Sequence, residues 1–352
     1  MKQINLIILS FLLINITSCT AKEINKIEDM FRTPKVLTHE VMENYEDEYY
    51  SKVSKLLNDE NYLIAYDFNG NTFFSKTDLD DNNKMHHFGT MGQGPNEVMM
   101  MPQNLSLIGN KEVSFYSINK SLLYAINYAE GSDYNPMKII DFDRKKNILG
   151  VLPVAYNQYI AMGAFDDGRY LMLDNNGDEI SYSFDYPSFD GADQLTGLHK
   201  FLAFQGHMMR KPDGTSFCFA GHHSELLDII KINKNGKLDK VFSFQGELAK
   251  FSTEGDGING GSVPISKESK MFFIDTNCTD KYIYLLFSNK RVKDGIYEAY
   301  QSKQVLVFDW KGKPITSYEL DIPVNCIAVD RKDKILYGYN QEDEKMVKFD
   351  LN

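Results

Sequence analysis

The sequence contains little of what marks a metal centre or a disulfide framework. Four cysteines occur in 352 residues, no two of them form a CxxC pair, and Cys218, Cys278 and Cys326 lie far apart. Neither a zinc knuckle nor a disulfide framework is indicated. The apolar sequence around each of these three cysteines favours a small buried side chain. Whether two of them form a disulfide stays open from the sequence.

Clustered positive charge is also missing. Asp and Glu number 49 against 38 Lys and Arg, which gives a formal net charge of −11. The basic runs RKK (144–146) and DRKDK (330–334) are short. A protein that binds nucleic acid needs a concentrated patch of Lys and Arg. We therefore expect no nucleic-acid partner.

Helical periodicity is nearly absent from the chain. Aromatic residues are abundant instead, at 13% with 21 Tyr and 23 Phe but one Trp, and this composition suits half-buried strands. The exception is residues 42–57, where apolar side chains recur at steps of three or four. Two interpretations of this segment remain open, a short helix or an irregular strand and loop.

One long apolar run stands at the N-terminus. Ten of the thirteen residues from Ile4 to Ile16 are apolar, and they follow a single positive charge at Lys2. The run is shorter than the roughly 20 residues that a membrane-spanning helix needs, so it is typical of a signal peptide. The tetrad ITSC (16–19) resembles the bacterial lipobox. This resemblance predicts cleavage before Cys19 and a lipid anchor on that residue.

The rest of the chain is built from short strand-like segments. They are five to seven residues long, rich in aromatic and aliphatic residues, and bounded by Gly, Asp, Asn or Lys; examples are YLIAYDF (62–68), RYLMLD (169–174), KYIYLLF (281–287), QVLVFDW (304–310) and KILYGY (334–339). Three stretches, 170–184, 230–244 and 306–320, place an Asp or Asn three residues before a Gly. The Asx side chain can close such a turn while the Gly takes a positive φ, so each stretch predicts a β-hairpin.

A β unit that repeats every 40 to 60 residues predicts a propeller. A β-sandwich is the main competitor, but roughly two dozen strands are too many for one sandwich. We expect an all-β, six-bladed propeller of four-stranded antiparallel blades, with its blades around 62–88, 104–142, 157–186, 200–245, 272–321 and 324–351. The last blade has only three strands of its own. We expect residues 33–41 to supply the fourth and so close the ring.

The glycine-rich stretch FGTMGQGPNEV (88–98) predicts a structural joint between blades. A dinucleotide or P-loop site would need the glycines to open a helix or to end in Lys-Ser or Lys-Thr, and neither pattern is present. Gly89, Gly92 and Gly94 instead permit a tight reversal, and Pro95 gives it a rigid exit.

The same stretch carries a resemblance to a known family. HFGTMGQGPNEV (87–98) resembles the fG..GqGPgEf signature of the TolB-like six-bladed propeller lipoproteins, and residues 325–351 resemble their final blade. Asn96 and Val98 depart from the signature, which usually has Gly and an aromatic residue there. The resemblance covers almost all of the mature chain. It implies a lipoprotein of the bacterial envelope whose molecular role is mostly unassigned.

Candidate site residues are few. The chain has no GxSxG, HExxH or CxxC motif, and we assign no catalytic residue, metal ligand or cofactor. The histidine pairs at 86–87 and 222–223 are the most noticeable titratable groups. His207, His222, His223 and Glu225 are the binding candidates, since GHHSE (221–225) in a loop could present both rings to one site. Residues 246–270 read either as a binding loop or as a disordered insertion.

Two functional hypotheses follow from the sequence. The favoured one is a lipid-anchored scaffold, a monomer, that binds a glycan, a peptide or a protein at the bacterial envelope. The alternative is an envelope hydrolase or lyase that acts on carbohydrate in the propeller channel. The expected domains are a signal peptide (1–18), a tether after lipidated Cys19 (19–32) and a propeller (33–352). Thr20 is typical of lipoproteins that reach the outer membrane of a Gram-negative-type bacterium.

Overall fold

A computed structural model describes residues 24–43, 49–94, 96–98, 103–109, 111–189, 195–250, 265–266 and 268–352. The N-terminal part contains a 3₁₀ turn and two short strands, Ile27–Met30, β1 (Lys35–Leu37) and β2 (His39–Val41). Six antiparallel sheets, the blades, follow in chain order. The prediction of an all-β six-bladed propeller is confirmed.

The first three blades are continuous in sequence. Blade 1 contains β3 (Val53–Asn58), β4 (Tyr62–Asn69), β5 (Thr72–Asp78), β6 (Met85–Met91) and the short β7 (Glu97–Val98). Blade 2 contains β8 (Gln103–Ile108), β9 (Glu112–Ser117), β10 (Leu122–Asn127) and β11 (Pro136–Asp141). Blade 3 contains β12 (Ile148–Val154), β13 (Gln158–Gly163), β14 (Tyr170–Leu173) and β15 (Glu179–Ser183).

The two described short helices lie in the second half of the chain, one before blade 4 and one within blade 5. Blade 4 contains β16 (Gly206–Arg210), β17 (Ser216–Gly221), β18 (Leu226–Ile232) and β19 (Leu238–Gln245). Blade 5 contains β20 (Lys270–Cys278), β21 (Tyr282–Arg291), β22 (Ser302–Asp309) and β23 (Pro314–Val324). Blade 6 contains β24 (Cys326–Val329), β25 (Ile335–Asn340) and β26 (Lys345–Asp350). Helix α1 (Gly197–Ala203) precedes blade 4 and α2 (Ile296–Ala299) follows β21, with 3₁₀ turns at Arg144–Lys146, Ala155–Asn157 and Val292–Asp294.

The N-terminal strands close the ring. β2 pairs antiparallel with β26 and completes blade 6, with His39 opposite Phe349 and Val41 opposite Val347. The predicted closure by residues 33–41 is therefore confirmed. β1 adds a second link that the sequence did not indicate, because it pairs in parallel with β23 on the outer edge of blade 5.

Aromatic side chains fill the space between neighbouring blades. Phe74 of blade 1 lies 5.9 Å from Phe115 of blade 2, and Tyr170 of blade 3 lies 5.2 Å from Phe217 of blade 4, measured between ring centroids. Inner and middle strands are packed on both faces, as in β14, where all four residues are buried. Such strands read as continuous apolar runs rather than as alternating patterns.

The hairpin turns form as their sequences predict. Asp174 Oδ1 accepts hydrogen bonds from the amides of Asn176 (2.8 Å) and Asp178 (2.9 Å), and Gly177 has φ +81°. The turn after Asp309 repeats this arrangement, with φ +81° at Gly312. The Asx side chain thus closes the turn and the glycine makes the reversal.

The first strands of blades 1 and 3 were missed, and blade 3 begins at Ile148 rather than near residue 157. Blade 1 begins at Val53 rather than near residue 62, so the helical interpretation is wrong for residues 53–57, which belong to β3. Residues 44–48 of that segment lie outside the described residues. Both faces of β3 carry buried side chains, so Val53, Leu56 and Leu57 are all apolar. Their spacings of three and four residues resemble the pattern of a helix.

The first strands, which we call the inner strands, line the central channel. Ile327 donates its amide hydrogen to Asp275 (2.9 Å) and Val329 donates to Asn277 (3.2 Å), so β20 and β24 run in the same direction. The inner strands all begin at one end of the channel, which we call the N face. The end where they finish is the C face. The second strand of each blade returns from the C face to the N face, so the connection after it lies on the N face.

Candidate ligand-binding site

The C face contains a cavity of about 450 Å³ at the mouth of the channel. Its wall is built from the ends of five inner strands, β3, β8, β16, β20 and β24, and from the turns that follow them. A volume of this size lies within the range of small-molecule sites. The cavity is therefore the candidate functional site.

Amide side chains hold the inner strands together beneath this cavity. Asn277 Nδ2 donates to the carbonyl of Leu56 (3.3 Å) while its Oδ1 accepts from the amide of Val329 (3.2 Å). One buried side chain thus links blades 5, 1 and 6. Asn58, also on the wall, accepts from the amide of Glu60 (3.1 Å) and shapes the turn at the end of β3.

An ion pair occupies one side of the cavity. Lys111 Nζ lies 2.8 Å from Asp59 Oδ2, and the Tyr128 hydroxyl donates to the same oxygen at 2.7 Å. Asp59 is 6% exposed, and its other oxygen accepts from the amide of Tyr62 (3.0 Å). Burial, and then the Asp59 carboxylate, raise the pKa of Tyr128 far above its usual value. The phenol therefore stays a hydrogen-bond donor.

Two arginines, Arg210 and Arg331, lie on the wall. Among the described residues, neither has a carboxylate partner within salt-bridge distance. Arg210 donates from Nη2 to the carbonyl of Pro212 (2.8 Å), and its Nε is buried without a protein partner. Burial lowers the pKa of Arg210, but an arginine remains charged under physiological conditions. Arg331 is exposed on the turn after β24. Lys111 neutralises Asp59, so the charges that remain on the wall are two arginines and Glu60. The net charge of the wall is therefore positive.

Deeper in the channel a second ion pair connects blades 1 and 5. Lys55 Nζ lies 2.5 Å from Asp275 Oδ1 and also donates to the carbonyl of Thr276. Asp275 is 1% exposed, and burial raises its pKa although Lys55 opposes that shift. This pair fills part of the channel between its two ends.

The structure brings two of the four predicted binding residues, His207 and His222, together, but away from the C-face cavity. None of His207, His222, His223 and Glu225 lines the C-face cavity. His207 Nε2 donates to the carbonyl of Ile274 at 2.5 Å, and its ring centroid lies 4.4 Å from that of His222. Burial lowers the pKa of His207 to about 3 and holds the pKa of His222 well below its usual value. Both rings are therefore neutral packing groups.

The other two candidates have structural partners as well. His223 Nδ1 lies 3.0 Å from the carbonyl of Lys270. Glu225 accepts from the amides of Ile27 (2.7 Å) and Glu247 (3.3 Å), and burial raises its pKa. Among the described residues, no group of three or more His, Cys, Asp or Glu side chains is arranged to hold a metal ion.

In the first histidine pair, His86 stacks on Tyr134, and His87 belongs to a hydrogen-bonded chain inside blade 1. The Ser75 hydroxyl donates to Asp67 Oδ2 (2.6 Å), and His87 Nδ1 lies 2.9 Å from the same hydroxyl. In a nucleophilic triad the histidine stands between the serine and the carboxylate. Here the serine stands between the other two. Asp67 also accepts from the amides of Ser51 and Lys52, so the chain fixes the entrance to β3.

The glycine-rich stretch lies between the outer edge of blade 1 and the start of blade 2. Gly89 has φ +74°, and a Cβ there would lie 2.8 Å from the Phe73 ring. Glu97 Oε2 accepts from the amide of Gly94 (2.7 Å), and a Cβ on Gly92 would lie 2.0 Å from the same oxygen. Pro95 lies outside the described residues. The glycines leave room for a carboxylate that holds the turn.

The three distant cysteines are free thiols. Burial raises the pKa of Cys218 to about 12, so this thiol stays protonated. Cys19, with residues 1–23, lies outside the described residues, as does most of the 246–270 loop (251–264 and 267). In the part of the chain that is described, no helix is both long enough and apolar enough to cross a membrane.

Sequence reasoning did not find the cavity residues. Asn58, Asp59, Arg210, Asn277 and Arg331 are ordinary polar residues near turns, and nothing in their spacing sets them apart. Each follows or ends the first strand of a blade. Correct location of the six inner strands would have identified them, because all inner strands end at the same mouth.

Several solved structures resemble this chain. A putative exported protein of Bacteroides fragilis NCTC 9343 has 12% identity and a TM-score of 0.54, with 89% of this chain and 94% of that chain covered. A protein of unknown function from Bacteroides thetaiotaomicron VPI-5482 has 9% identity and a TM-score of 0.51, covering 88% and 71%. Regucalcin, a calcium-binding protein of Agrobacterium tumefaciens str. C58, has 10% identity and a TM-score of 0.50, covering 90% and 95%. At these identities the likeness shows the fold alone.

No curated protein sequence matches this chain. Residues 35–332, by contrast, match the family described as TolB-like 6-blade propeller-like, and this range includes blades 1 to 5 and the first strand of blade 6. The ring of six blades closed by the N-terminal strands agrees with that description. The chain belongs to the TolB-like six-bladed propeller family.

Proposed function

We propose that this protein is a lipid-anchored binding protein of the bacterial envelope, and that it takes a small carboxylate-bearing ligand into the C-face cavity. The observation that carries the proposal is the pair of arginines on the cavity wall, Arg210 and Arg331, which lack a carboxylate partner among the described residues. Guanidinium groups bind carboxylates through two parallel hydrogen bonds. A net charge of −11 makes such a surface unusual for this chain.

The rest of the wall suits a polar ligand. Ser106, Asn58, Asn277, Thr279 and the Tyr128 hydroxyl make the wall polar, and Asn277, Thr279 and Tyr128 are held in place by hydrogen bonds within the protein. The cavity volume of about 450 Å³ accommodates a molecule of the size of one or two sugar units. An acidic sugar or a small organic acid satisfies both the charge and the hydrogen bonds.

The proposed location rests on the N-terminal segment. The lipobox-like tetrad that ends at Cys19 supports a lipid anchor, and Thr20 supports transfer to the outer membrane. The structural similarity to a putative exported protein of Bacteroides fragilis agrees with export. A binding protein fits the wall better than a carbohydrate hydrolase or lyase does, because the buried carboxylate Asp59 is already held by Lys111 and Tyr128.

The single tryptophan supplies a reporter for ligand binding. Trp310 Nε1 donates to the carbonyl of Thr279 (3.0 Å), and Thr279 lines the cavity. Titration of the full-length protein with galacturonate, citrate and succinate is expected to give a saturable change in tryptophan fluorescence for at least one of them. Arg331→Gln should weaken that binding about tenfold, since the variant loses one charge-assisted hydrogen bond.

A neighbouring residue provides the matched control. Lys332 is exposed on the same turn but does not line the cavity, so Lys332→Gln should leave binding unchanged. Galactose and inorganic phosphate are the comparison probes. Equal binding of galactose and galacturonate, or equal effects of the two substitutions, would contradict a site for anions. Preference for phosphate would assign the arginines to a phosphorylated ligand.

A further inference from the structure

The N-terminal tether is fastened to the N face. Ile27 is fully buried and donates its amide hydrogen to Glu225 Oε1 (2.7 Å), and Glu28 Oε1 accepts from Asn289 Nδ2 (3.1 Å). Glu225 follows the second strand of blade 4, and Asn289 lies near the end of the second strand of blade 5. Both second strands end at the N face. The start of the described chain is therefore held there, between blades 4 and 5.

Only a short distance separates this point from the proposed anchor. Ile24, the first described residue, is five residues after Cys19 and is 47% exposed. Five residues of extended chain span at most about 18 Å. A lipid on Cys19 would therefore hold the N face of blades 4 and 5 within this distance of a bilayer.

An exposed apolar surface lies next to that attachment. The connection from β21 to β22 begins three residues after Asn289 and carries Ile296 (59% exposed), Tyr297 (76%) and Tyr300 (41%). Buried Ala299 anchors the connection on blade 5. We call these three side chains the blade 5 patch. Exposed aliphatic and aromatic side chains grouped in this way mark an interaction surface.

We propose that the blade 5 patch is a second membrane contact, which inserts into the headgroup region of the bilayer to which Cys19 is anchored. This inference rests on the proposed lipid anchor. The short tether brings the bilayer to this surface, and tyrosines prefer the boundary between headgroups and acyl chains. The C-face cavity, at the opposite end of the channel, then opens away from the bilayer toward free solutes.

The charges around the patch identify the kind of bilayer. Lys290, Arg291 and Lys293 are balanced in part by Asp294, Glu298 and Glu268, and Glu268 lies 2.8 Å from Lys293. Little net attraction to anionic headgroups remains. Insertion should therefore depend on the apolar side chains and the tether, and zwitterionic phosphatidylcholine should suffice.

Quenching by brominated phosphatidylcholine tests the contact. The full-length lipidated protein is incorporated into vesicles after Trp310→Phe, so that the tryptophan introduced by Tyr297→Trp is the only one. The matched control is Ile315→Trp in the same background. Ile315 is 41% exposed at the start of β23, on the same blade but at the C face. We expect quenching about threefold stronger for Tyr297→Trp, and the same ratio when a fifth of the lipid is phosphatidylglycerol.

Vesicle flotation separates the failure of this inference from the failure of the anchor. If the protein floats with the vesicles and Cys19→Ala abolishes flotation, the anchor holds, and equal or reversed quenching of the two variants overturns the membrane contact alone. If the protein does not float, both the anchor and the contact are overturned. A quenching ratio that appears only with phosphatidylglycerol contradicts the apolar insertion proposed here.

Discussion

Burial keeps two histidines of this propeller, His207 and His222, in the neutral form. His207 donates to a carbonyl at 2.5 Å and meets His222 edge to face, and burial lowers the pKa of both rings. A protein that buries neutral histidines must become less stable when the solvent tends to protonate them. Lys55 adds to this effect at His207, because its positive charge also lowers the pKa.

The lowered pKa values of these histidines make the protein less stable as the pH is lowered. The pKa of His207 falls from 6.5 to about 3 on folding, so the stability contributed by the neutral ring is complete above pH 6.5 and is lost as the pH falls toward 3. His222 and His223 shift in the same direction. Asp275 acts in the opposite direction, because its raised pKa favours the folded state as the pH falls toward 4.

Urea unfolding between pH 7 and pH 4.5 measures this dependence. The free energy of unfolding should decrease as the pH is lowered from 7 to 4.5. His207→Gln should reduce the slope of this free energy against pH by up to about 1.4 kcal/mol per pH unit, which is the limit for one proton. His86→Gln, at an exposed position, serves as the control. An unchanged slope in His207→Gln would show that the ring takes up a proton in the folded protein.

At the scale of elements, blades are joined by polar links as well as by aromatic contacts. Arg169 precedes β14 of blade 3 and lies 2.9 Å from Asp228 on β18 of blade 4, with exposed fractions of 3% and 5%. The guanidinium carbon also lies 4.1 Å from the centroid of the Phe219 ring. Ser243 donates to the other oxygen of Asp228 (2.6 Å). The pair is deeply buried, so its geometry determines how blades 3 and 4 meet.

Loss of one partner of this pair should be costly. Arg169→Met leaves Oδ2 of the buried Asp228 carboxylate without its arginine, with Lys240 3.7 Å from the other oxygen, and should reduce the free energy of unfolding by about 3–5 kcal/mol. Lys138→Met, which removes an exposed ion pair with Asp141, should cost less than about 1 kcal/mol. Chemical denaturation of both variants makes the comparison. Similar losses would mean that the buried link contributes no more than a surface pair.

At the scale of the whole molecule, the ring depends on an N-terminal segment that precedes every blade. β1 and β2 attach to the outer edges of blades 5 and 6, and Leu37, the last residue of β1, is 8% exposed beside Tyr318 and Leu320. The first and last parts of the chain must therefore meet before the ring is complete. Contacts so distant in sequence make folding slow but the closed ring cooperative.

Adjacent residues of β1 test the importance of this closure. Leu37→Ala should lower the free energy of unfolding by about 2–4 kcal/mol, since it opens a cavity between two blades. Val36→Ala, on the same strand but 74% exposed, should change it by less than about 0.5 kcal/mol. Thermal or urea unfolding gives both values. Equal small effects would indicate that the propeller is stable without its N-terminal strand.

Much of the fold could be predicted because its signals are local. Asp174 and Gly177 define their hairpin within four residues, and the apolar runs define most second and third strands without reference to the rest of the chain. The inner strand β3 was obscured because its buried residues Val53, Leu56 and Leu57 are spaced as they would be on one face of a helix. Only the neighbouring blades show that both faces of this strand are covered.

The sequence by itself determined the class of fold, the number of blades and the closure by residues 33–41, since hairpin turns and strand patterns depend on neighbouring residues. Only the tertiary structure decided which polar residues meet. It placed the histidines in packed walls, fastened the tether to the N face through Glu225, and brought Asp59, Arg210 and Arg331 to one cavity. The physical reason is that a propeller builds its channel from one short strand of each blade, so residues that share a site are separated by whole blades in the chain.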